Sequence, residues 1–407
     1  LQGLGGGGLL VGAQAVIADI VPPRDRGRYA GFFGATFGAA TVLGPLLGGI
    51  IVEYWSWRWI FFINVPLGVV ALMVTAAALP SAGQRVSHSI DYAGIATLTV
   101  GASCLILFTS LGGVTIAWSS PTSIALLAVG VVVTVAFALV ERRSSEPILA
   151  PRLFRNRVFL SGSAIGFVVG FAMFGAMIFL PLFFQEVRGV TPTMSGVRLL
   201  PMMVGLFGAS IITGQLVSKG WRYRPFPIAG CAVMTIGLGL MGLVGEQTSS
   251  VTMAVFMFVL GAGIGLVMQI LVTAVQNSVG HTDVGAATAG ANFFRSIGGS
   301  FGTAVFGALY ANEEPRAIAH GMAAQHLTYR LTPSSFTPAG LHKLPAPVLH
   351  VVLAAITTSI QHIYRVATPI GVIAVLVALT LPEIKLRASL HPVADEVPLS
   401  SADPLVG

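Results

Sequence analysis

Apolar segments long enough to cross a lipid bilayer recur along the whole of this 407-residue chain, near 1–20, 29–52, 59–79, 92–112, 121–140, 158–182, 195–217, 226–245, 251–278, 286–310 and 361–382. A hydrocarbon core roughly 30 Å thick and a helical rise of about 1.5 Å per residue call for some 20 apolar residues per crossing. No water inside the bilayer can bond an exposed N–H or C=O, so segments of this length must be helical. The expected fold class is an all-α polytopic membrane protein with about eleven transmembrane helices, and its first partner is the lipid bilayer. Only 9% of residues are charged, against about a quarter in a soluble domain. The net charge of +7 does not point to nucleic acid, because the basic residues are scattered between apolar runs and form no single dense patch. Cys104 and Cys231 lie inside separate apolar runs, where they read as small buried hydrophobes and not as a disulfide or metal pair.

The basic residues orient the chain. With Leu1 outside, fourteen Lys and Arg fall on the inner loops, among them Arg26 and the group from Arg142 to Arg157, and seven fall outside, among them Arg58. This bias is the positive-inside signature and makes the carboxyl terminus cytoplasmic. Trp55, Trp57 and Trp59 then sit at the outer interface as an aromatic belt. An odd number of spans puts the two ends on opposite sides, and no starting Met or leader precedes Leu1, so the chain is expected to be truncated at its amino end.

Glycine marks two regions. LQGLGGGGLL at 1–10 matches the spacing of a dinucleotide fingerprint but opens an apolar span with no strand before it, so its glycines are read as allowing close helix approach. In the second span Gly27, Gly31, Gly34 and Gly38 share one helical face and lead into GPLLGG, with Gly44, Pro45, Gly48 and Gly49. Pro45 lacks a backbone donor and is expected to kink that helix.

GPLLGG resembles the antiporter motif of the major facilitator superfamily, and WSWRWIFFINVPLG from Trp55 to Gly68 resembles the hallmark that follows it in fourteen-helix drug:proton antiporters. The resemblance continues in order through Leu153–Phe159, Gly261–Gln269 and Phe293–Gly302. It implies the major facilitator fold, with spans four to fourteen present and the first three missing, together with that family's first-span acidic motif. Gln2 and Gly3 look like the end of the fourth-span motif. A departing echo of the loop motif runs over Gly214, Lys219, Gly220, Arg222 and Arg224, with Ser218 where an acid is expected. The implied organisation is the rest of an amino-terminal helical half at 1–79, two extra central spans and a cytoplasmic linker at 80–157, and a six-span carboxyl-terminal half at 158–387. That half includes an outer loop at 311–360, and a disordered tail follows at 388–407.

Function follows from the same resemblance: proton-coupled efflux of amphipathic or cationic small molecules across a bacterial cytoplasmic membrane, with no cofactor. Two other readings stay open, an exporter of an endogenous metabolite or antibiotic, and a non-transporting truncated membrane protein. An enzyme is not expected, since HExxH and paired intramembrane Asp arrangements are both missing. Five histidines between His320 and His362 fit no compact ligand spacing, so no metal site is expected. Oligomeric state is left open.

Proton coupling needs a carboxylate or His whose pKa burial can raise. Asp19, Glu53, Glu141, Glu186 and Glu246 all fall at span ends, where a solvated interfacial carboxylate is the ordinary outcome. Asp19 and Glu53 border the glycine-rich span, and with Arg26 and Arg58 they are the candidates for gating or coupling. Arg295 is the one charge within a span, at a cost of roughly 2.5–3.5 kcal/mol at a helix centre. It either snorkels to cytoplasmic phosphates or meets a polar partner in the translocation path. Gln14, Gln215, Gln269 and Asn292 are the other candidates for that path, and an interhelical hydrogen bond is the plainer role for each.

Overall fold

Where the described residues stay apolar for about 20 positions they are helical, as a lipid solvent requires. The structure is a computed structural model that describes residues 2–21, 36, 40, 44, 47–51, 55–78, 91–112, 115–144, 147–280, 283–329, 331–332, 338–341 and 343–383. In order the helices are α1 (Gln2–Ile20), α2 (Trp59–Phe62), α3 (Asn64–Ala78), α4 (Tyr92–Leu111), α5 (Pro121–Glu141), α6 (Arg157–Leu182), α7 (Pro192–Arg198), α8 (Leu200–Ser218), α9 (Pro225–Met241), α10 (Ser250–Ser278), α11 (Val284–Ala324), α12 (Pro338–Leu341) and α13 (Ala346–Leu379). Seven stretches among the described residues are long and apolar enough to cross a bilayer, and α9 is a shorter apolar helix. The expected span at 29–52 falls mostly outside the described residues.

Local chemistry sets the helix ends. Asp91 accepts from the Gly94 N–H at the start of α4, and Ser120 accepts from the Ser123 N–H at the start of α5, where Pro121 takes the first turn. Asn156 caps α6 through Val158 and Phe159, and Ser249 caps α10 through Thr252. The span expected at 195–217 begins earlier, at Pro192, and breaks at Leu199, because proline opens both α7 and α8. Past Pro181 the chain winds into one π-helical turn, Phe183–Val187.

The largest departure from expectation is the stretch from 311 to 360, which is not a simple loop. Helix α11 has 41 residues and α13 has 34. At about 1.5 Å per residue each exceeds the hydrocarbon thickness. Both overrun at the same end of the bundle and pack on each other there. Ile318 and Met322 share a buried core with Val348, Val351 and Val352, and Gly321 leaves room for the Val351 side chain. The Ala-rich run ANEEPRAIAHGMAA favours helix strongly enough to carry Pro315 inside it.

The carboxyl-terminal bundle is built from close pairs: α6 with α11, α8 with α10, and α9 with both α10 and α13. Lipid supplies no hydrophobic drive between helices, so close packing must hold them together. At the α6–α11 crossing a Cβ on Gly170 would overlap the Arg295 carbonyl, and one on Gly298 would overlap the Phe167 carbonyl. The core includes Ile165, Met202, Met234, Leu260 and Val352. The outer surface is apolar in turn: Leu67 and Leu72 of α3 and Val132 and Leu139 of α5 are exposed, as lipid-facing side chains are.

Apart from Ser210 Oγ, which donates to the Gly265 carbonyl midway along α8 and α10, the polar contacts between distant described residues gather at the two ends of the bundle in the order that alternating helices demand. At one end, the connections after α5, α8, α10 and α13 meet. There Arg152 pairs with Asp283, Asn156 Nδ2 donates to the Ser278 carbonyl at 2.7 Å, and Arg224 donates to the Leu379 carbonyl at 2.9 Å. At the other end, Arg188 donates to the Thr248 carbonyl and Gln361 donates to the Val244 carbonyl at 2.8 Å.

Candidate functional site

Of the GPLLGG segment, Gly44, Gly48 and Gly49 are described, whereas Gly34, Gly38 and Pro45 lie outside the described residues, as do Arg26 and Glu53. Among the described residues nothing approaches the Cβ positions of Gly44 and Gly48. Gly49 differs, because a Cβ there would lie 2.6 Å from Thr193 Oγ1 and 3.3 Å from Thr193 Cα. The last glycine of the motif therefore sits on the first turn of α7, in the carboxyl-terminal bundle. That turn is held by Thr191 Oγ1, which accepts from the Met194 N–H at 3.2 Å, and by Gln185 Nε2, 3.4 Å from Ser195 Oγ.

Gln185 belongs to the π-helical turn, and so does Glu186. Single π-turns inside helices often mark functional positions. The Tyr310 hydroxyl on α11 hydrogen-bonds with Glu186 and, one turn farther along α11, with Glu314. Two carboxylates thus share one phenol at the bundle end that holds the Arg188–Thr248 contact. Burial holds the Glu314 carboxyl above its ordinary range, and the Tyr310 bond partly offsets this. Burial also lowers the neighbouring Arg188, assisted by repulsion from Arg198 and opposed by Glu246. The guanidiniums of Arg188 and Arg198 stand 5.8 Å and 5.6 Å over the rings of Phe183 and Phe184.

Sequence reasoning treated Glu186 as an ordinary interfacial carboxylate and passed over Glu314 inside the presumed loop. The four-residue spacing of Tyr310 and Glu314 on a helical face was the available signal.

The translocation-path candidates are only partly drawn together. Asn292, buried, and Arg295, half-buried, lie one turn apart on α11. The Arg295 stem runs along the bare backbone of Gly166 and Gly170 on α6, and among the described residues no carboxylate pairs with its guanidinium. Gln215 is exposed on α8, and no described hydrogen bond joins it to Asn292 or Arg295. Gln14, Gln269 and Asp19 lie on described backbone in α1 and α10, but their side chains are outside the described set. Arg58 is exposed, 5.0 Å over the Trp57 ring, in the exposed tryptophan cluster where Trp55 and Trp59 lie 5.5 Å apart.

At the opposite end of the bundle a polar network fixes the start of α11. Gln276 Nε2 donates to Thr288 Oγ1 at 3.0 Å, both residues being buried. Arg152 grips Asp283 with two bonds, Nη2 to Oδ1 at 2.6 Å and Nε to Oδ2 at 3.0 Å. Asn156 ties the start of α6 to the end of α10.

Comparison with known proteins adds the family context. The profile described as Major Facilitator Superfamily matches residues 1–303. An uncharacterized MFS-type transporter of Mycobacterium tuberculosis is 43% identical over 98% of this chain, and the chain spans 57% of that relative's length. The multidrug transporter protein MdtP of Bacillus subtilis is 41% identical over 76% of the chain, again 57% of its own length. Multidrug resistance protein 3 of the same organism is 33% identical over 90% of the chain and 73% of its own length.

Proposed function

The chain belongs to the major facilitator superfamily, and on that premise we propose that it forms part of a fourteen-helix secondary transporter that exports amphipathic or cationic small molecules across a bacterial cytoplasmic membrane in exchange for protons. The family points to a transporter and not to an enzyme. The observation that carries the choice of cargo is the match, over 76% and 90% of this chain, to two relatives named for multidrug transport or resistance.

The geometry supplies parts suited to alternating access. The α6–α11 crossing, packed backbone to backbone, is stiff enough to move as one body. Gly49 on Thr193 is a seam between the antiporter segment and that body, and parting it would open one end of the path. Glu186 and Glu314 around Tyr310 are a place to hold a proton, since like charges sharing a site favour protonating one of them. Arg295 and Asn292, side by side on α11, are polar groups for the path itself. The driving force is adequate: one charge falling through 100 mV releases about 2.3 kcal/mol, enough to sustain roughly a fifty-fold gradient.

The test is ethidium efflux from proteoliposomes holding the purified protein, with a pH gradient imposed and then collapsed by a protonophore. Efflux that follows the gradient and weakens in the double variant Glu186→Gln, Glu314→Gln supports the reading. Efflux indifferent to the gradient removes proton coupling, and no efflux of ethidium or other lipophilic cations removes the drug-export reading in favour of an endogenous product.

A further inference from the structure

Between the α4–α5 hairpin and α11 lies a 480 Å³ cavity walled by Phe137, Phe154, Phe293, Phe294 and Phe301, with Arg142 at its rim. Its volume falls within the range of about 300–1,000 Å³ typical of small-molecule sites. Phe154 is 40% exposed, and Thr134 and Ala138, also on the wall, are exposed. The cavity is therefore open on a face of helices that also exposes apolar side chains such as Val100, Val131 and Val135.

The rim decides what charge a ligand can carry. Glu141 lines the cavity, but both its oxygens are engaged, Oε1 by the Ile148 N–H and Oε2 by the Leu149 N–H, each at 3.2 Å. Its neighbour Asp91 spends Oδ1 on the Gly94 N–H at the start of α4, at 2.7 Å. These two acids hold the linker and the helix end in place. Arg142 and Arg143, by contrast, are exposed, and neither forms an ion pair among the described residues. The charge offered at the mouth is basic, and it lies at the bundle end that positive-inside counting makes cytoplasmic. Basic pockets between transmembrane helices on that side suit anionic lipid headgroups.

We propose that this cavity is a binding site for one anionic phospholipid of the inner leaflet, with an acyl chain among the five phenylalanines and the headgroup phosphate on Arg142 and Arg143. A lipid held here touches the central hairpin and α11 together, so its occupancy fixes how the hairpin sits on the carboxyl-terminal bundle. The site stands independently of the cargo, because it needs only that the helices span a bilayer.

The experiment is native mass spectrometry of the full chain purified in detergent and titrated with phosphatidylglycerol or with phosphatidylcholine of the same chains. One phosphatidylglycerol is expected to be retained with a preference of roughly tenfold or more. Arg142→Gln with Arg143→Gln should abolish that preference while leaving weak retention of both lipids. Ala138→Phe, on the exposed wall, should remove retention of both by filling the cavity. Equal retention of the two lipids, or retention unchanged by Ala138→Phe, overturns the proposal. So does displacement of the lipid by tetraphenylphosphonium with no effect of the arginine variants, which would make the cavity a cation site. Because lipid retention is read without transport, failure of the efflux assay leaves this test intact.

Discussion

Gly49 and Thr193 lie so close that a Cβ on the glycine would be 2.6 Å from the threonine hydroxyl and 3.3 Å from its Cα. The backbone part of that contact cannot move aside without shifting α7. Gly49→Val should therefore pry the seam apart and reduce dye efflux roughly tenfold or more, an effect of the size overpacking produces. Gly48→Ala, at a position with nothing within 4 Å among the described residues, should leave efflux near wild type. Oxidative cross-linking of the pair Gly49→Cys and Thr193→Cys checks the geometry directly, and failure to cross-link would remove the seam.

The carboxyl of Glu314 predicts a pH dependence of stability. Its pKa lies above 4.5 in the folded protein, mainly through burial. Above pH 4.5 the folded state then binds more proton than the unfolded state, so stability is greatest at low pH and falls as pH rises through the folded pKa. Glu314→Gln should flatten this decline in a thermal melt. Tyr310→Phe removes a bond that lowers the Glu314 pKa, so the decline should run on to higher pH. A wild-type melting profile that does not fall with pH above 4.5, or that Glu314→Gln leaves unchanged, would count against the cluster.

Membrane helices were legible because lipid leaves a 20-residue apolar run no alternative to helix, so α4, α5, α6 and α10 fall within a residue or two of where hydropathy puts them. The same reasoning fails where the solvent changes. The far half of α11 runs past its apolar stretch, where helix formation depends on propensity and on a partner face, whereas the apolar run Val348–Ile360 was visible in the sequence and proves to be continuous with the last span in α13. Pairings distant in sequence were also illegible: nothing in the string sets Glu186 beside Tyr310, or Arg295 along Gly166 and Gly170. The GPLLGG glycines were visible as a motif, yet among the described residues only Gly49 has a close neighbour, and that neighbour lies in a helix the motif does not mention.

At the α6–α11 crossing the obstacle to a larger side chain is a carbonyl, not a flexible side chain. A Cβ on Gly298 would overlap the Phe167 oxygen, and relief requires the two helices to separate. Overpacking usually costs about 1–3 kcal/mol, and a backbone clash should reach or exceed the top of that range. Gly298→Leu is expected to lower the yield of monodisperse protein in fluorescence-detected size exclusion several-fold. Ser296→Leu, on the exposed face of the same helix, should be tolerated, and equal yields for both would show the crossing to be looser than described.

Arg152 and Asp283 make the last prediction, and its sign depends on two effects acting on one carboxylate. Asp283 stands at the start of α11 without bonding that helix's own N–H groups through its side chain, so it offers its negative charge to the helix dipole and both oxygens to the Arg152 fork. The arginine is 67% exposed, so solvent screens the pair and its loss should barely change the melting temperature. Its effect should appear in transport, because the pair joins the linker ahead of α6 to the connection between α10 and α11. Arg152→Ala and Asp283→Ala should each slow efflux, and the double variant should be no slower than the worse single one. Exchanging the charges, Arg152→Asp with Asp283→Arg, should recover only part of the rate, because the pair is rebuilt while a cation now faces the positive end of α11. Efflux kinetics at low and high salt decide it: additive losses in the double variant, or full recovery on exchange, would mean that the contact does not couple the two connections in this way.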